Sequence, residues 1–274
     1  MSLDLDNPEF SLAYQTVVQT NSCLFLTGKA GTGKSTFLRY VQKNTSKKVI
    51  VLAPTGIAAV NVSGVTIHSF FQFPLGPIHP DGENVKSFGK KASKRKLITK
   101  VDTIIIDEIS MVRADLIDGI DISLRKNGGD PNLPFGGKQM IFIGDIFQLE
   151  PVIRKDSEEY DILKKFYKSF FFFDAQAFQN IPLTSIELQK VYRQKEGSFI
   201  RLLDKVRKNN VNASDIAKLN QRYQKASQDF DAEGEITLCT TNRLADEKNE
   251  TELEELTTKQ FTYKGKVQGT FEES

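Results

Sequence analysis

The chain has 274 residues, of which 39% are apolar and 26% are charged, a composition that excludes fibrous and low-complexity proteins. Its net charge of +2 excludes a uniformly basic surface, so any nucleic-acid interface must be local. No apolar run has the length of a membrane span, the N-terminus lacks the layout of a signal peptide, and the few cysteines and histidines have no zinc spacing. We therefore expect a cytoplasmic protein, of the bacterial cytosol or nucleoid, with no membrane partner. Cys23 and Cys239 lie in apolar runs, where we expect buried thiols.

The first predicted elements surround a glycine-rich loop at residues 28–35. The apolar run 23–26 before it predicts a buried strand, and residues 36–41 after it predict the start of a helix. The loop has the Walker A pattern, in which backbone N–H groups hold phosphates at the N-terminus of a helix. We expect Lys34 to reach the β- and γ-phosphates of ATP and Ser35 to bind Mg²⁺. The alternative is a chance glycine-rich turn. The expected nucleotide contacts are Gly28, Ala30, Gly31, Thr32, Gly33, Lys34, Ser35 and Thr36.

Four further apolar runs predict buried strands of a parallel sheet, and the intervening segments are typical of helices. The runs are 49–52, 103–106, 140–143 and 170–173. Alternation of strands with helical segments indicates an α/β fold. The run of four phenylalanines at 170–173 has an aggregation-prone segment as its alternative interpretation.

Two polar clusters follow predicted strands. Asp107 and Glu108 end the third strand in the Walker B layout, in which Asp107 would hold Mg²⁺ and Glu108 would activate the attacking water. The alternative is an acidic N-cap of a helix. Gln148 lies in the 144–151 segment after the next strand, where it could contact the γ-phosphate or the water. A simple Gly-Asp turn is the alternative there.

Two segments interrupt the alternation of strands and helices. Residues 73–100 are rich in proline and glycine and then become strongly basic, which predicts a small excursion from the sheet that holds DNA phosphates or is merely a solvated face. After Pro182 the pattern restarts with a predicted helix at 197–208 and a strand at 235–240, so we place a domain boundary there. A further β-like segment is expected at 261–268.

The ordered series of motifs resembles one family closely. The Walker A loop is followed by the segments 53–59, 64–70, 107–111, 144–151, 188–194 and 240–245. This order resembles the PIF-type (petite-integration-frequency) family of superfamily-one 5′-to-3′ DNA helicases, which are relatives of RecD. The resemblance implies RecA-like P-loop domains that clamp ATP and Mg²⁺, translocation on single-stranded DNA, and unwinding at duplex forks. It also implies work in DNA repair, recombination and telomere maintenance.

The resemblance further assigns roles to single residues. Arg193 would be an arginine finger that reaches the γ-phosphate from the opposite domain, with a surface salt bridge as the alternative. Gln15 is the candidate for an adenine contact. The residues expected to line the DNA are Pro54, Thr55, Gly56, Thr66, His68, Phe70 and Asn242. For His68 and Phe70 the alternative is a place in the core.

The expected domain scheme follows the same motifs. Residues 1–72 and 101–182 form the first RecA-like domain, 73–100 a small inserted wedge-like subdomain, 183–246 the start of a second RecA-like domain, and 247–274 the start of a β-rich insertion. Two further motifs of the family are not found, so we expect an incomplete second domain and weak or absent DNA-stimulated hydrolysis by this chain alone. A monomer is expected. The alternative functions are a nucleotide-switched DNA-binding module and a RecD-like exonuclease subunit.

Overall fold

The computed structural model describes residues 4, 6–194, 196–221, 236–259 and 261–265, without the side chain of residue 180. The chain divides into two compact units, Met1–Ile216 and Ala217–Ser274. No helix within these described ranges is both long enough and apolar enough to cross a bilayer. Cys23 is buried, Cys239 is partly exposed, and both are free thiols.

The first unit is built on a six-stranded sheet in which every pair of neighbouring strands is parallel. The order of the strands is β3-β2-β4-β5-β1-β6. Their bounds are β1 Cys23–Gly28, β2 Val49–Ala53, β3 Val65–Thr66, β4 Thr103–Ile106, β5 Gln139–Ile143 and β6 Leu183–Leu188. The predicted α/β fold with a parallel sheet is confirmed.

The helices connect successive strands and cover the sheet. Their bounds are α1 Pro8–Gln19, α2 Lys34–Asn44, α3 Gly56–Asn61, α4 Ile67–Phe71, α5 Ser93–Lys100, α6 Ala114–Lys126, α7 Glu158–Leu163, α8 Gly197–Arg207, α9 Ala213–Asn220 and α10 Asn242–Glu254. Short 3₁₀ helices lie at Ile109–Met111, Pro134–Gly137, Phe172–Asp174 and Gln176–Asn180. The predicted helix at 197–208 corresponds to α8.

Hydrophobic cores lie on both faces of the sheet. In β4, Ile104 and Ile106 belong to one core and Ile105 belongs to the other, as the alternation of side chains along a strand requires. This explains why the strands read as continuous apolar runs, since both faces exclude water. In the 73–100 segment, buried residues such as Phe73, Ile78 and Phe88 pack into the first of these cores.

The prediction of a buried strand at 170–173 is wrong. Phe171 makes only an isolated bridge with Arg113, and the chain then turns into the 3₁₀ helix Phe172–Asp174. The turn inserts the Phe172 ring into the core, where its centroid lies 5.3 Å from that of Phe25, and leaves Phe173 47% exposed. A strand would have paired the backbone at each residue, whereas here aromatic packing decides the conformation.

The predicted boundary at Pro182 lies directly before a strand of the first sheet. Strand β6 pairs with β1 at six successive positions, from Cys23 opposite Leu183 to Gly28 opposite Leu188. The second compact unit begins instead at Ala217. The rest of the domain scheme stays a prediction.

The strand predicted at 235–240 is also wrong where the structure describes it. Residues 236–240 have no regular secondary structure, and Ile236 and Leu238 are 89% and 94% exposed. Glu235 lies outside the described residues. In the predicted β-like segment, residues 261–265 form no strand, and 266–268 lie outside the described residues. Within the described residues, the apolar side chains of these two segments have no buried face to pack against, so their pattern does not specify a strand.

Candidate nucleotide site

The glycine-rich loop connects β1 to α2, as predicted. Gly28, Gly31 and Gly33 all have positive φ angles, of 150°, 80° and 96°. A Cβ on Gly28 would lie 2.7 Å from the Leu188 carbonyl oxygen, and a Cβ on Gly31 would lie 2.5 Å from the Cβ of Arg193. Only glycine fits these two positions, because a side chain would clash and would also strain the backbone.

Lys34 begins helix α2 and folds back over the loop. Its Nζ donates to the carbonyl oxygens of Gly28 at 2.6 Å and Lys29 at 3.2 Å. Burial lowers the pKa of Lys34, and the carboxylates of Asp145, Glu108 and Asp107 oppose this shift. The ammonium group is therefore placed among the loops that follow β1, β4 and β5, where a phosphate chain would need a cation.

Asp107 follows β4 and is 7% exposed. Burial, and then the neighbouring charge of Glu108, raise the pKa of Asp107 to about 6. Glu108 has a φ of 50° and is the N-cap residue of the Ile109–Met111 helix, yet its side chain makes no capping hydrogen bond there within the described structure. The alternative of an acidic N-cap is therefore not supported. Glu108 instead lines a cavity that lies over the glycine-rich loop.

The loop after β5 lies against the loop after β4. A Cβ on Gly144 would lie 2.9 Å from the Ile109 side chain and 3.0 Å from its backbone nitrogen, so the glycine permits this close approach. Asp145 is 1% exposed, and Gln148 Nε2 lies 3.4 Å from its Oδ2. Gln148 and Glu108 line the same cavities, and the role of Gln148 at the γ-phosphate stays a prediction.

Two adjoining cavities meet at these side chains. One, of about 350 Å³, lies over the glycine-rich loop, and the other, of about 400 Å³, lies beside α3. Ser35, Glu108 and Gln148 line both. The volume over the loop is in the range of small-molecule sites. All five predicted catalytic residues line one cavity or the other, namely Lys34, Asp107, Glu108, Gln148 and Arg193.

The donor set fits Mg²⁺. The Ser35 hydroxyl and the Asp107 carboxylate are oxygen ligands, which Mg²⁺ prefers, and it commonly takes one or two carboxylates together with substrate phosphates. Within the described residues there is no cluster of three or more His, Cys, Asp or Glu side chains that could hold a metal without such phosphates.

The structure places two predicted contacts differently from the sequence interpretation. Arg193 lies in the same unit as the glycine-rich loop and packs its Cβ against Gly31, rather than belonging to an opposite domain, because β6 carries it there directly. Gln15 is exposed on α1 and is not among the described residues that line the cavity. Helix α1 instead turns its buried side, which includes Phe10, toward the loop.

Sequence reasoning missed Asn7 and Tyr192 at the wall of the cavity. Asn7 caps α1 by accepting a hydrogen bond from Phe10 N at 2.9 Å, and its Nδ2 donates to Tyr192 Oη at 3.3 Å. The Tyr192 hydroxyl donates to Asp4 Oδ2 at 2.9 Å. The Asn-Pro pair at the start of a helix was a readable capping signal, but its pairing with a tyrosine far along the chain was not.

The candidate DNA residues divide into two groups. Thr55 and Thr66 are N-caps of α3 and α4, accepting from Ala58 N at 3.3 Å and Ser69 N at 3.2 Å. Pro54 and Gly56 flank Thr55 at the end of β2, and Gly56 is exposed. Both threonines therefore stand at helix N-termini, which suit phosphate contacts, but only Thr55 is exposed and Thr66 is half-buried.

Two other candidate DNA residues are less exposed, since Phe70 is buried and His68 is half-buried. Phe70 is 2% exposed, with Lys94 Nζ 4.9 Å from its ring centroid, so the core alternative holds for this ring. Burial, and then the charge of Arg113, lower the pKa of His68. Asn242 begins α10 in the second unit and is exposed. The DNA roles of all these residues stay predictions.

Comparison with known proteins supports the resemblance to PIF-type helicases. The family model described as PIF1-like helicase matches residues 8–217. ATP-dependent DNA helicase PIF1 of Candida albicans is 39% identical over 211 residues, which is 72% of this chain and 22% of that protein. The PIF1 helicase of Emericella nidulans is 34% identical over 273 residues, which is 94% of this chain and 34% of that protein.

Solved structures agree. The crystal structure of Pif1 helicase from Bacteroides in complex with ADP-AlF3 and ssDNA has a TM-score of 0.83 and 38% sequence identity, and the match covers 94% of this chain and 59% of that one. This chain spans roughly a fifth to a third of the length of the curated relatives named above. The family model matches the part of the chain that holds the nucleotide site, and the chain belongs to the PIF1-like helicase family.

Proposed function

We propose that this chain is part of an ATP-dependent DNA helicase that moves 5′ to 3′ along single-stranded DNA and separates duplex at forks. One observation carries the proposal, namely that Lys34, Asp107, Glu108 and Gln148 converge at adjoining cavities at the carboxyl ends of β1, β4 and β5. This is the edge at which open α/β sheets bind ligands. The relatives are named ATP-dependent DNA helicases, and the Bacteroides neighbour was solved with ssDNA and ADP-AlF3.

The chemistry follows from the placement of the side chains. Lys34 offsets the charge of the β- and γ-phosphates, while the glycine-rich backbone holds them at the start of α2. Glu108, in its left-handed conformation, accepts the proton of the attacking water, and Gln148 orients that water. Ser35 and Asp107 would hold Mg²⁺, which neutralises charge on the β- and γ-phosphate oxygens. Arg193, exposed beside Gly31, is placed to stabilise the transition state.

The domain scheme is proposed in a revised form. Strand β6 joins the residues of the first RecA-like domain, and the start of the second follows it. Residues 73–100 serve as the inserted element near the fork, with the single strand passing the N-termini of α3 and α4 at Thr55 and Thr66.

Tailed-duplex unwinding by the full-length protein tests this function. With ATP and Mg²⁺, a duplex with a 5′ single-stranded tail is separated, whereas a duplex with a 3′ tail is not. The Lys34→Ala variant is expected to bind DNA and to lose unwinding. Unwinding that survives Lys34→Ala would refute the motor, and a preference for the 3′ tail would refute the direction.

A further inference from the structure

A buried ion pair joins helix α8 to the loop that carries Gln148. Arg207, in the last turn of α8, donates from Nε to Asp145 Oδ2 at 3.0 Å and from Nη2 to Oδ1 at 2.9 Å. The side chains are 12% and 1% exposed. A two-bond fork between guanidinium and carboxylate fixes direction as well as distance, which a lysine cannot do.

Asp145 organises the rest of its loop. Its Oδ1 accepts from the backbone nitrogen of Phe147 at 3.1 Å, its carbonyl oxygen accepts from Gln148 N at 2.9 Å, and its Oδ2 lies 3.4 Å from Gln148 Nε2. The guanidinium of Arg207 also lies over the Phe147 ring, 4.3 Å from its centroid. Arg207 therefore contacts both Asp145 and Phe147, which lie just before Gln148 in the loop.

The same helix contacts the glycine-rich loop. Asp204, one turn before Arg207, pairs with Lys29 at 2.8 Å. The loops after β1 and β5 are thus both held by α8, and both line the nucleotide cavity. Carboxylates near Arg207 other than Asp145 are Asp204 and Glu187, each 4.0 Å away. The bidentate contact to Asp145 is the tightest of these.

Fold stability alone does not account for this arrangement. A buried arginine–carboxylate pair contributes little net stability, because desolvation of both charges offsets their attraction. What such a pair does supply is a fixed geometry, and the geometry fixed here is that of a residue at the γ-phosphate end of the cavity.

We propose that Arg207 is a positioning residue for ATP hydrolysis, which acts through Asp145 to hold Gln148 where it orients the attacking water. The inference rests on the proposed function. It adds α8, which none of the sequence motifs includes, to the machinery of the site.

A double-mutant cycle on steady-state hydrolysis tests the proposal. The variants Arg207→Lys, Gln148→Ala and their combination are compared in the full-length protein with single-stranded DNA present. Arg207→Lys keeps the charge but loses the fork, so kcat is expected to fall about tenfold while KM for ATP changes less than about threefold. In the Gln148→Ala background, Arg207→Lys should change kcat by less than about twofold, because the residue it positions is gone.

Arg201→Ala is the matched control, since it removes an exposed arginine from the same helix. Its kcat should stay within about twofold of the unsubstituted protein. A merely structural Arg207 would give effects that multiply in the double variant, and that result would overturn the inference. So would a rise in KM with kcat unchanged, or a Gln148→Ala variant with full kcat.

Failure of the inference and failure of the proposed function are distinguishable. If Lys34→Ala abolishes hydrolysis while the two substitutions multiply, the ATPase assignment stands and only the positioning role is lost. If the unsubstituted full-length protein does not hydrolyse ATP, the proposed function itself fails. Arg207→Lys is used because Arg207→Ala would leave Asp145 as an unpaired buried charge and could prevent folding.

Discussion

The amino and carboxyl ends of the strands form two edges of the central sheet, and both edges carry buried polar side chains. Among the described residues, two buried hydroxyls at the carboxyl edge have no hydrogen-bond partner in the protein. Strand β4 shows the contrast, because an aspartate flanks each of its ends. Asp102, before the strand, is exposed and accepts from Lys48 N at 2.8 Å. Asp107, after the strand, is buried and has a pKa raised to about 6.

At the amino edge, Gln139 is 1% exposed and uses both ends of its amide. Its Oε1 accepts from Thr103 Oγ1 at 2.8 Å and Lys47 Nζ at 2.9 Å. Its Nε2 lies within 3.2 Å of three backbone carbonyl oxygens, those of Thr16, Thr20 and Ser22. Both the oxygen and the nitrogen of the Gln139 amide therefore have hydrogen-bond partners, as expected for a buried polar group in a structural role.

At the carboxyl edge, some buried polar groups have no hydrogen-bond partner in the described structure. Among the described residues, the buried hydroxyls of Thr27 and Ser110 have no hydrogen-bond partner, and Ser110 lines one of the two cavities. A buried hydroxyl without a partner adds no hydrogen bond to the stability of the fold. Burial of polar groups is common to both edges. What distinguishes the carboxyl edge, where the proposed nucleotide site lies, is that some of its buried polar groups lack a partner among the described residues.

The largest expected effect is on catalysis at the carboxyl edge. In the full-length protein with single-stranded DNA present, Glu108→Gln removes the proposed base, so kcat for ATP hydrolysis should fall by about 10²- to 10⁴-fold while ATP still binds. Steady-state kinetics and nucleotide titration measure both. Asp102→Asn, at the other end of the strand, is the control and should keep its kcat. Equal losses in the two variants would remove the distinction between the edges.

The next effect is on stability at the amino edge. Gln139→Ala leaves the half-buried Lys47, a threonine and three carbonyl groups with fewer partners, so we expect a loss of about 3 kcal/mol in the free energy of unfolding. Urea denaturation measures it. Gln42→Ala, which removes an exposed glutamine from α2, should change stability by less than about 0.5 kcal/mol. A Gln139→Ala protein as stable as Gln42→Ala would show that the network is not structural.

Asp107→Asn should stabilise the protein in the absence of Mg²⁺, while it impairs hydrolysis. Above pH 6 the folded protein holds an ionised Asp107 whose charge burial disfavours, and asparagine removes that cost, which is about 3 kcal/mol at pH 7.5. Below the ordinary aspartate pKa both forms are neutral. The stability difference between the variant and the unsubstituted protein should therefore shrink as pH falls from 6 toward 4. A difference that grows on acidification would contradict the raised pKa.

The smallest effect concerns two buried serines. Ser110→Ala removes a hydroxyl that has no partner among the described residues, so stability should change by less than about 0.5 kcal/mol. Ser123→Ala removes a hydroxyl that accepts from Asn127 Nδ2 at 3.3 Å, and should cost about 1 kcal/mol. Thermal unfolding of the pair compares them directly. A greater loss from Ser110→Ala would mean that its hydroxyl stabilises the fold.

Much of the carboxyl edge could be predicted from sequence because its residues are consecutive. Lys34 and Ser35 are fixed to the loop by its glycines, and Asp107 and Glu108 follow directly from an apolar run. A local pattern of this kind carries its own geometry. The strand–loop–helix order around residues 28–35 and the parallel sheet are therefore as expected.

The errors arose where distant contacts decide. Phe170–Phe173 has high β-propensity, but insertion of Phe172 beside Phe25 makes a turn instead. Arg207 and Asp145 are 62 positions apart, so neither residue signals the other. The place of β6 in the first sheet is likewise decided by a distant contact, since only pairing with β1 assigns it there.

The central claim is tested most directly by a pair of half-buried lysines, Lys34 at the carboxyl ends of the strands and Lys47 at the amino ends. The affinity for ATP in the presence of Mg²⁺ is measured by calorimetry for Lys34→Ala and Lys47→Ala, with the melting temperature of each. We predict that Lys34→Ala weakens ATP binding about tenfold or more, which is about 1.4 kcal/mol, with little change in melting. Lys47→Ala should bind ATP normally and melt earlier, because Lys47 holds Gln139 and the end of α1. Normal ATP affinity in Lys34→Ala, or its loss in Lys47→Ala, would contradict the assignment of the nucleotide site to the carboxyl edge.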